Sequence, residues 1–281
     1  MATRNSVRRL PVHLTLVLLC LAWLVPVVGL LVSSVRTPYD ISSSGWWHGL
    51  LPPYRFTLDN YTQVLTTGGL GRAFVNSLLI TVPAVTVMTA VGAVAAYAFA
   101  RMRFAGRRTV FIVLIALLVV PAQMALAPVL RLYNTLHLAG TFPGIWLVHA
   151  GFAMPFAVYL LRNFMAGLPE EVFEQAAVDG ASAPTVFLRI ALPISAPALA
   201  SFAIFQFLWV WNDLLLALIF LGGDPAVAPV TVSLSNLVNA NTGQGWQLLT
   251  AAAFVSMAFP LLIFLTLQRY FVRGLLAGAV K

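Results

Sequence analysis

The sequence predicts an all-α, polytopic membrane protein with six transmembrane helices, and three observations lead there. Charged residues make up 9% of the 281 and hydrophobic residues 60%. A soluble domain carries about 25% charged residues, so this chain has too few polar side chains to cover a water-facing surface. Its apolar runs repeatedly approach or exceed the ~20 residues that a spanning helix needs. Its basic residues flank those runs instead of forming a stripe, so the net charge of +8 reflects membrane topology and not a nucleic-acid partner.

The runs read as helices because a lipid-exposed backbone must satisfy its own hydrogen bonds. The first covers about 12–33, behind Arg4, Arg8 and Arg9. It is long for the apolar part of a signal peptide, and no clear small-x-small cleavage site follows, so it reads as a retained span. Cys20, the one cysteine, lies inside it and can form neither an internal disulfide nor a metal cluster. An outer segment, 34–72, carries Pro52-Pro53, with Trp46 and Trp47 as interface anchors. The second span, about 73–100, opens on Asn76-Ser77 and closes on Arg101, Arg103, Arg107 and Arg108. The third, about 109–129, is interrupted by Pro121 and Pro128, and the fourth, about 144–165, holds Pro155. These prolines are expected to kink helices that neighbours support. The fifth and sixth spans cover about 197–221 and 248–271, on either side of an outer loop, 222–247, rich in Gly, Asn, Ser and Thr. With the N-terminus inside, twelve of the sixteen Lys and Arg residues fall on the inner side and four outside. That bias puts both termini in the cytoplasm and makes 166–196 an inner connector.

The connector holds half of the acidic residues: Glu170, Glu171, Glu174 and Asp179. Leu168-Pro169-Glu170-Glu171 reads as a helix start, with Pro in the first turn and carboxylates at the positive end of the dipole. Gly180 allows a sharp backbone turn, and Ser182 is a good N-cap for a second short helix. Small residues on the first helix let a partner approach closely, and exposed carboxylates can pair with its basic groups. The alternative is an amphipathic connector resting on headgroups, but such helices usually present a basic face.

Glu174, Ala176, Gly180, Ile190, Leu192 and Pro193 also stand at the spacing E-x-A, three residues, G, nine residues, I-x-L-P. This resembles the signature loop of the membrane subunits of ABC importers, with Gln175 in place of the usual first alanine. Asp179-Gly180-Ala181-Ser182 is similar to the carbohydrate-importer branch. Asn76-Ser77, Leu161-Arg162-Asn163-Phe164, Trp211-Asn212-Asp213 and Phe271-Val272-Arg273-Gly274-Leu275 extend the resemblance to maltose-type sugar permeases over nearly the whole chain. Gly45-Trp46-Trp47 faintly resembles permeases for α-glucosides. The resemblance implies the type I importer transmembrane fold, a single domain over 1–281. It implies that Glu174, Ala176, Ala177, Asp179, Gly180, Ala181 and Ser182 couple this chain to a cytoplasmic ABC ATPase dimer. It further implies a second homologous permease, an extracytoplasmic solute-binding protein and a carbohydrate substrate. The chain has no G-x-x-x-x-G-K-[ST] phosphate loop, so ATP and Mg belong on the partner; no cofactor, catalytic residue or metal ligand is expected here.

Asp213 is the one acidic residue inside a predicted span. Intramembrane ionisable groups face a cavity or a partner, so Trp211, Asn212 and Asp213 either line the translocation path or fix helices together. His149 lacks clustered ligands and reads as a packing residue. Asn239, Asn241, Gln244 and Trp246 in the last outer loop are candidates for binding-protein contact, against an ordinary solvated loop. Arg101, Arg103, Arg107 and Arg108 could bind lipid phosphates or the ATPase, but the cluster reads first as a topology determinant of an inner loop. An importer for another solute is the nearest rival. An intramembrane enzyme would need paired catalytic groups at one depth, and Asp213 has no acidic partner in a span.

Overall fold

A computed structural model describes the backbone of residues 2–66, 69–240 and 245–277, and the side chains of 11–66, 69–237 and 245–268. The described residues contain helices and no strand. They form two compact units, Met1–Gly71 with Leu234–Ala258, and Arg72–Ser233 with Phe259–Lys281.

In the first unit, helix α1 (Ala2–Ser34) is followed by α2 (Pro38–Ser43), a 3-10 turn (Trp46–Leu50) and α3 (Asp59–Thr66). Most side chains of α1 from Val12 onward are exposed and apolar, including Trp23, as lipid or an apolar partner requires. Its end is tied down by a buried cation: Arg36 donates to the carbonyls of Asp40 (2.8 Å) and Gly45 (2.9 Å) and to Ser44 Oγ (2.6 Å). Asn60 Nδ2 donates to the carbonyls of Ser34 and Arg36, each at 2.9 Å. The segment after α1 is thus a folded cap on that helix.

The second unit holds most of α4 (Leu70–Arg101), then α5 (Arg107–Leu117), α6 (Ala122–Thr135) and α7 (Phe142–Ala166). Next come α8 (Glu170–Val178), α9 (Ala183–Val186), a π-turn (Phe187–Ala191), α10 (Leu192–Ile194), α11 (Ala196–Trp211) and α12 (Leu215–Phe220). Helix α13 (Val230–Ala240) and α14 (Trp246–Ala277) follow in the chain, each divided between the two units. Helices α4 and α7 cross closely because small residues meet there: a Cβ on Gly92 would lie 2.8 Å from that of Ala157. Trp146 adds a hydrogen bond from its indole to the Leu79 carbonyl at 2.8 Å.

Among the described residues four helices are long and apolar enough to cross a membrane, and two bent pairs bring the number to six if each counts as one span. The third span is not a kinked rod: α5 and α6 meet at 104°, because Pro121, extended at φ −60° and ψ 123°, ends one helix and opens the next. Pro128, by contrast, sits inside α6. The fifth span, expected as continuous over 197–221, ends at Trp211 and restarts at Leu215. It also meets the preceding helical run, Ala183–Ile194, at 72°.

Candidate functional site

The acidic connector folds as a short helix with a defined stop. Glu170 and Glu171 occupy the first turn of α8, behind Pro169. At the other end Gly180 takes φ +71°. Its amide donates to Ala177 O (3.1 Å), and the Ala181 amide donates to Ala176 O (2.9 Å). This pair of bonds around a left-handed residue is the Schellman stop, which satisfies the last carbonyls of the helix. Ser182 stands at the N-cap of α9 but its hydroxyl does not cap; it pairs with Thr185 Oγ1 at 2.9 Å.

Glu174, Ala177, Asp179, Gly180 and Ser182 are exposed, and Ala181 is half-buried. Ala176 faces inward and is buried, so it is a packing contact of the loop. Between Ala177 and Asp179 stands Val178, 87% exposed. An isolated apolar side chain at the tip of an acidic helix is a natural contact point. Its signal in the sequence was its position between the alanine pair and Asp-Gly, where periodicity does not distinguish an inward from an outward residue.

A second feature was missed. Arg101, at the last residue of α4, reaches the connector. Its Nη2 donates to Met165 O (2.8 Å) and Leu168 O (2.7 Å), at the end of α7 and just before α8. Its guanidinium carbon lies 3.9 Å from the centre of the Phe173 ring on α8. One turn earlier Tyr97 packs on Phe187 of the π-turn, ring centres 5.2 Å apart. The end of α4 therefore grips both halves of the connector.

The second candidate region is the break after α11. Trp211 is 1% exposed and sits among Phe74, Phe207 and Phe259, with centroids 5.2, 5.7 and 4.9 Å away. Asp213 accepts from the amides of Leu216 (3.2 Å) and Ala217 (3.0 Å), satisfying the first turn of α12. Its own carbonyl accepts from Thr231 Oγ1 at 2.7 Å. His149, buried in α7, places Nε2 3.8 Å from Asp213 Oδ2 and its ring edge-on to Trp209. Trp211 and Asp213 are thus built into the packing, whereas Asn212 is exposed, with Nδ2 bonded back to Leu208 O at 2.7 Å. Replacing Asp213 with Ala strands two amides at a buried helix start, an expected loss of about 1–3 kcal/mol. Asp213→Asn keeps an acceptor and should retain more; melting temperatures of the two variants in detergent check the order.

Asn76 and Ser77 act as fasteners. Asn76 Nδ2 donates to Ala226 O (3.1 Å) and Ala228 O (3.0 Å), and Ser77 Oγ accepts from the Val230 amide (2.9 Å). At the start of α14, Trp246 is exposed and lines an open cleft with Pro38, Tyr39 and Ser42. Asn241, Gln244 and the side chain of Asn239 lie outside the described residues.

Residues 88–276 match the family described as binding-protein-dependent transport system inner membrane component. The osmoprotective compounds uptake permease protein GgtD of Synechocystis is 53% identical over 98% of this chain and 93% of its own length. The alpha-glucoside transport system permease protein AglG of Rhizobium meliloti is 54% identical over 82% of this chain, a match that spans 61% of that protein. Among solved structures, a chain of a bacterial ABC transporter that imports the acidic polysaccharide alginate superposes with a TM-score of 0.81. It is 20% identical, and the match covers 96% of this chain and 98% of that one. The apolar helical architecture and the connector motif thus coincide with a family match over most of the chain: this protein belongs to the inner membrane components of binding-protein-dependent transport systems.

Proposed function

We propose that the chain is a permease subunit of an ATP-driven importer for a carbohydrate, of the α-glucoside or a related small polyhydroxylated class. The observation that carries the coupling role is the connector: a rigidly stopped helix presents Glu174, Val178 and Asp179 while Arg101 joins its base to α4. A helix so held passes on a push as rigid-body motion between two packings. An ABC ATPase dimer, carrying ATP and Mg, docks there; the excess of Lys and Arg at that end of the spans supports a cytoplasmic location and cytoplasmic termini. A second homologous permease completes the path, and a solute-binding protein delivers substrate from the opposite face. This chain performs no covalent chemistry and binds no cofactor.

The α-glucoside relative supports the sugar class. The osmoprotectant relative keeps a second class, small compatible solutes, in view. Asn212, exposed at the broken fifth span, is the residue best placed to meet a polar solute. The exposed Trp246 is a candidate contact for the binding protein, and Asn239, Asn241 and Gln244 are candidates by their sequence position alone. The test is uptake by the purified complex in proteoliposomes, with a panel of α-glucosides, other oligosaccharides, zwitterionic osmolytes and amino acids. ATP-dependent uptake of α-glucosides is expected; uptake of amino acids with no sugar would overturn the carbohydrate reading.

A further inference from the structure

At the end of the spans that carries the connector, three arginines converge on one recess. Arg107 and Arg108 open α5, and Arg162 lies in the last turns of α7. The recess, about 580 Å³, has an aromatic floor that includes Phe99, Phe104 and Phe111, with Phe99 5.5 and 5.7 Å from the other two ring centres. Two of the cations are held in place. Arg107 donates to Met102 O (3.0 Å) and Ala100 O (3.3 Å) at the end of α4. Arg162 lies with its guanidinium carbon 4.9 Å from the Phe111 ring centre and donates to Asn163 Oδ1 at 3.2 Å.

None of the three is neutralised. The single ion pair among the described residues is that of His149 with Asp213, although all eight carboxylate side chains lie within the described residues. Each guanidinium has five N–H donors, so the hydrogen bonds above leave most of them free. Helix α5 also opens without a side-chain cap, behind Gly106 in the left-handed conformation, adding the positive end of a helix to the same rim. Three cations facing one opening without a counter-charge, two of them held in place, attract an anion rich in acceptors.

The surroundings say which anion. Beyond its first turn α5 is an exposed apolar strip, with Val110, Ile112, Val113 and Leu117 all facing outward. A free phosphate ion would fill a small part of the recess and leave that strip untouched. A phospholipid places its phosphate among the arginines and its acyl chains along the strip. A basic pocket between spanning helices on the positively charged side of a membrane is suited to anionic headgroups.

We propose that this recess is a binding site for the phosphate headgroup of an anionic phospholipid. Arg107 and Arg162 are its positioned contacts, Arg108 is the third cation on its wall, and the exposed face of α5 carries the acyl chains.

The test uses the full chain purified with its partners. Phosphatidylglycerol and phosphatidylcholine retained on the complex are counted by native mass spectrometry, for wild type and for R108Q/R162Q, which spares the helix-end bonds of Arg107. At about a fivefold loss per arginine removed, retention of phosphatidylglycerol should fall roughly thirtyfold while phosphatidylcholine is unchanged, with R108K/R162K keeping much of the binding. Equal retention of both lipids by wild type, or no loss in R108Q/R162Q, would overturn the proposal. So would displacement of the lipid by millimolar inorganic phosphate, which would assign the pocket to the free anion. Loss of the ATPase from R108Q/R162Q with lipid retention intact would assign it to an acidic protein surface and overturn it as well.

Discussion

Substituting Gly180 with valine is expected to leave the complex assembled and to cut transport at least tenfold. The argument is conformational. Gly180 holds φ +71° in the Schellman stop of α8, and an added Cβ would meet no heavy atom within 4 Å. Crowding is therefore not the difficulty. The left-handed backbone itself costs a non-glycine residue about 1–2 kcal/mol, and a β-branched one more. A strain of that size does not unfold a membrane bundle, but it favours another turn and re-aims Val178 and Asp179. The order expected is Gly180→Asn mildest, since Asn tolerates this region, then Ala, then Val. Proteoliposome uptake measured beside ATP hydrolysis checks it; full transport by the valine variant would remove Gly180 from the coupling machinery.

Arg101→Met should be nearly as severe, by a different route. The guanidinium makes two hydrogen bonds to carbonyls and a stacked contact with Phe173. Charge-assisted bonds contribute about 1.5–3 kcal/mol each, and a cation over an aromatic face about 0.5–2. Methionine keeps the apolar stem and removes all three, so α8 is released from α4 without a cavity. Hydrolysis is then expected to lose its response to substrate-loaded binding protein, with uptake per ATP down about tenfold. Arg101→Lys, which keeps charge and a carbonyl bond but not the flat stack, should fall between. An unchanged uptake-to-hydrolysis ratio in an assembled R101M complex would show that the contact merely supports folding.

Four of the apolar runs read from hydropathy are single long helices in the structure, because burial in lipid imposes long apolar runs on any sequence that crosses. The interruptions were less legible. Pro121 was visible, but a proline fixes a local angle and not a 104° turn between helices. The restart at Leu215 depends on the Asp213 carboxylate taking two amides, and a lone acidic residue in an apolar run equally suits a pore. The connector was the most readable site, since Pro, carboxylates, Gly and Ser each act within a few residues. Two details of facing were not legible, because packing decides them: Ala176 turns inward, and Ser182, at the N-cap position expected of it, bonds Thr185 instead of capping. Arg101 was beyond sequence reasoning because its acceptors lie 64 and 67 residues away.

The crossing of Gly92 and Ala157 leaves less room than one methyl group. Helices α4 and α7 therefore cannot slide past each other without separating, and Arg101 joins them again at the connector end. Together they form one strut, joined at two levels. Under the coupling role proposed above, a displacement arriving at α8 moves that strut as one body, and the compliance has to come from the joints beside it: the corner at Pro121, the bend at Ser195 and the gap between Trp211 and Leu215.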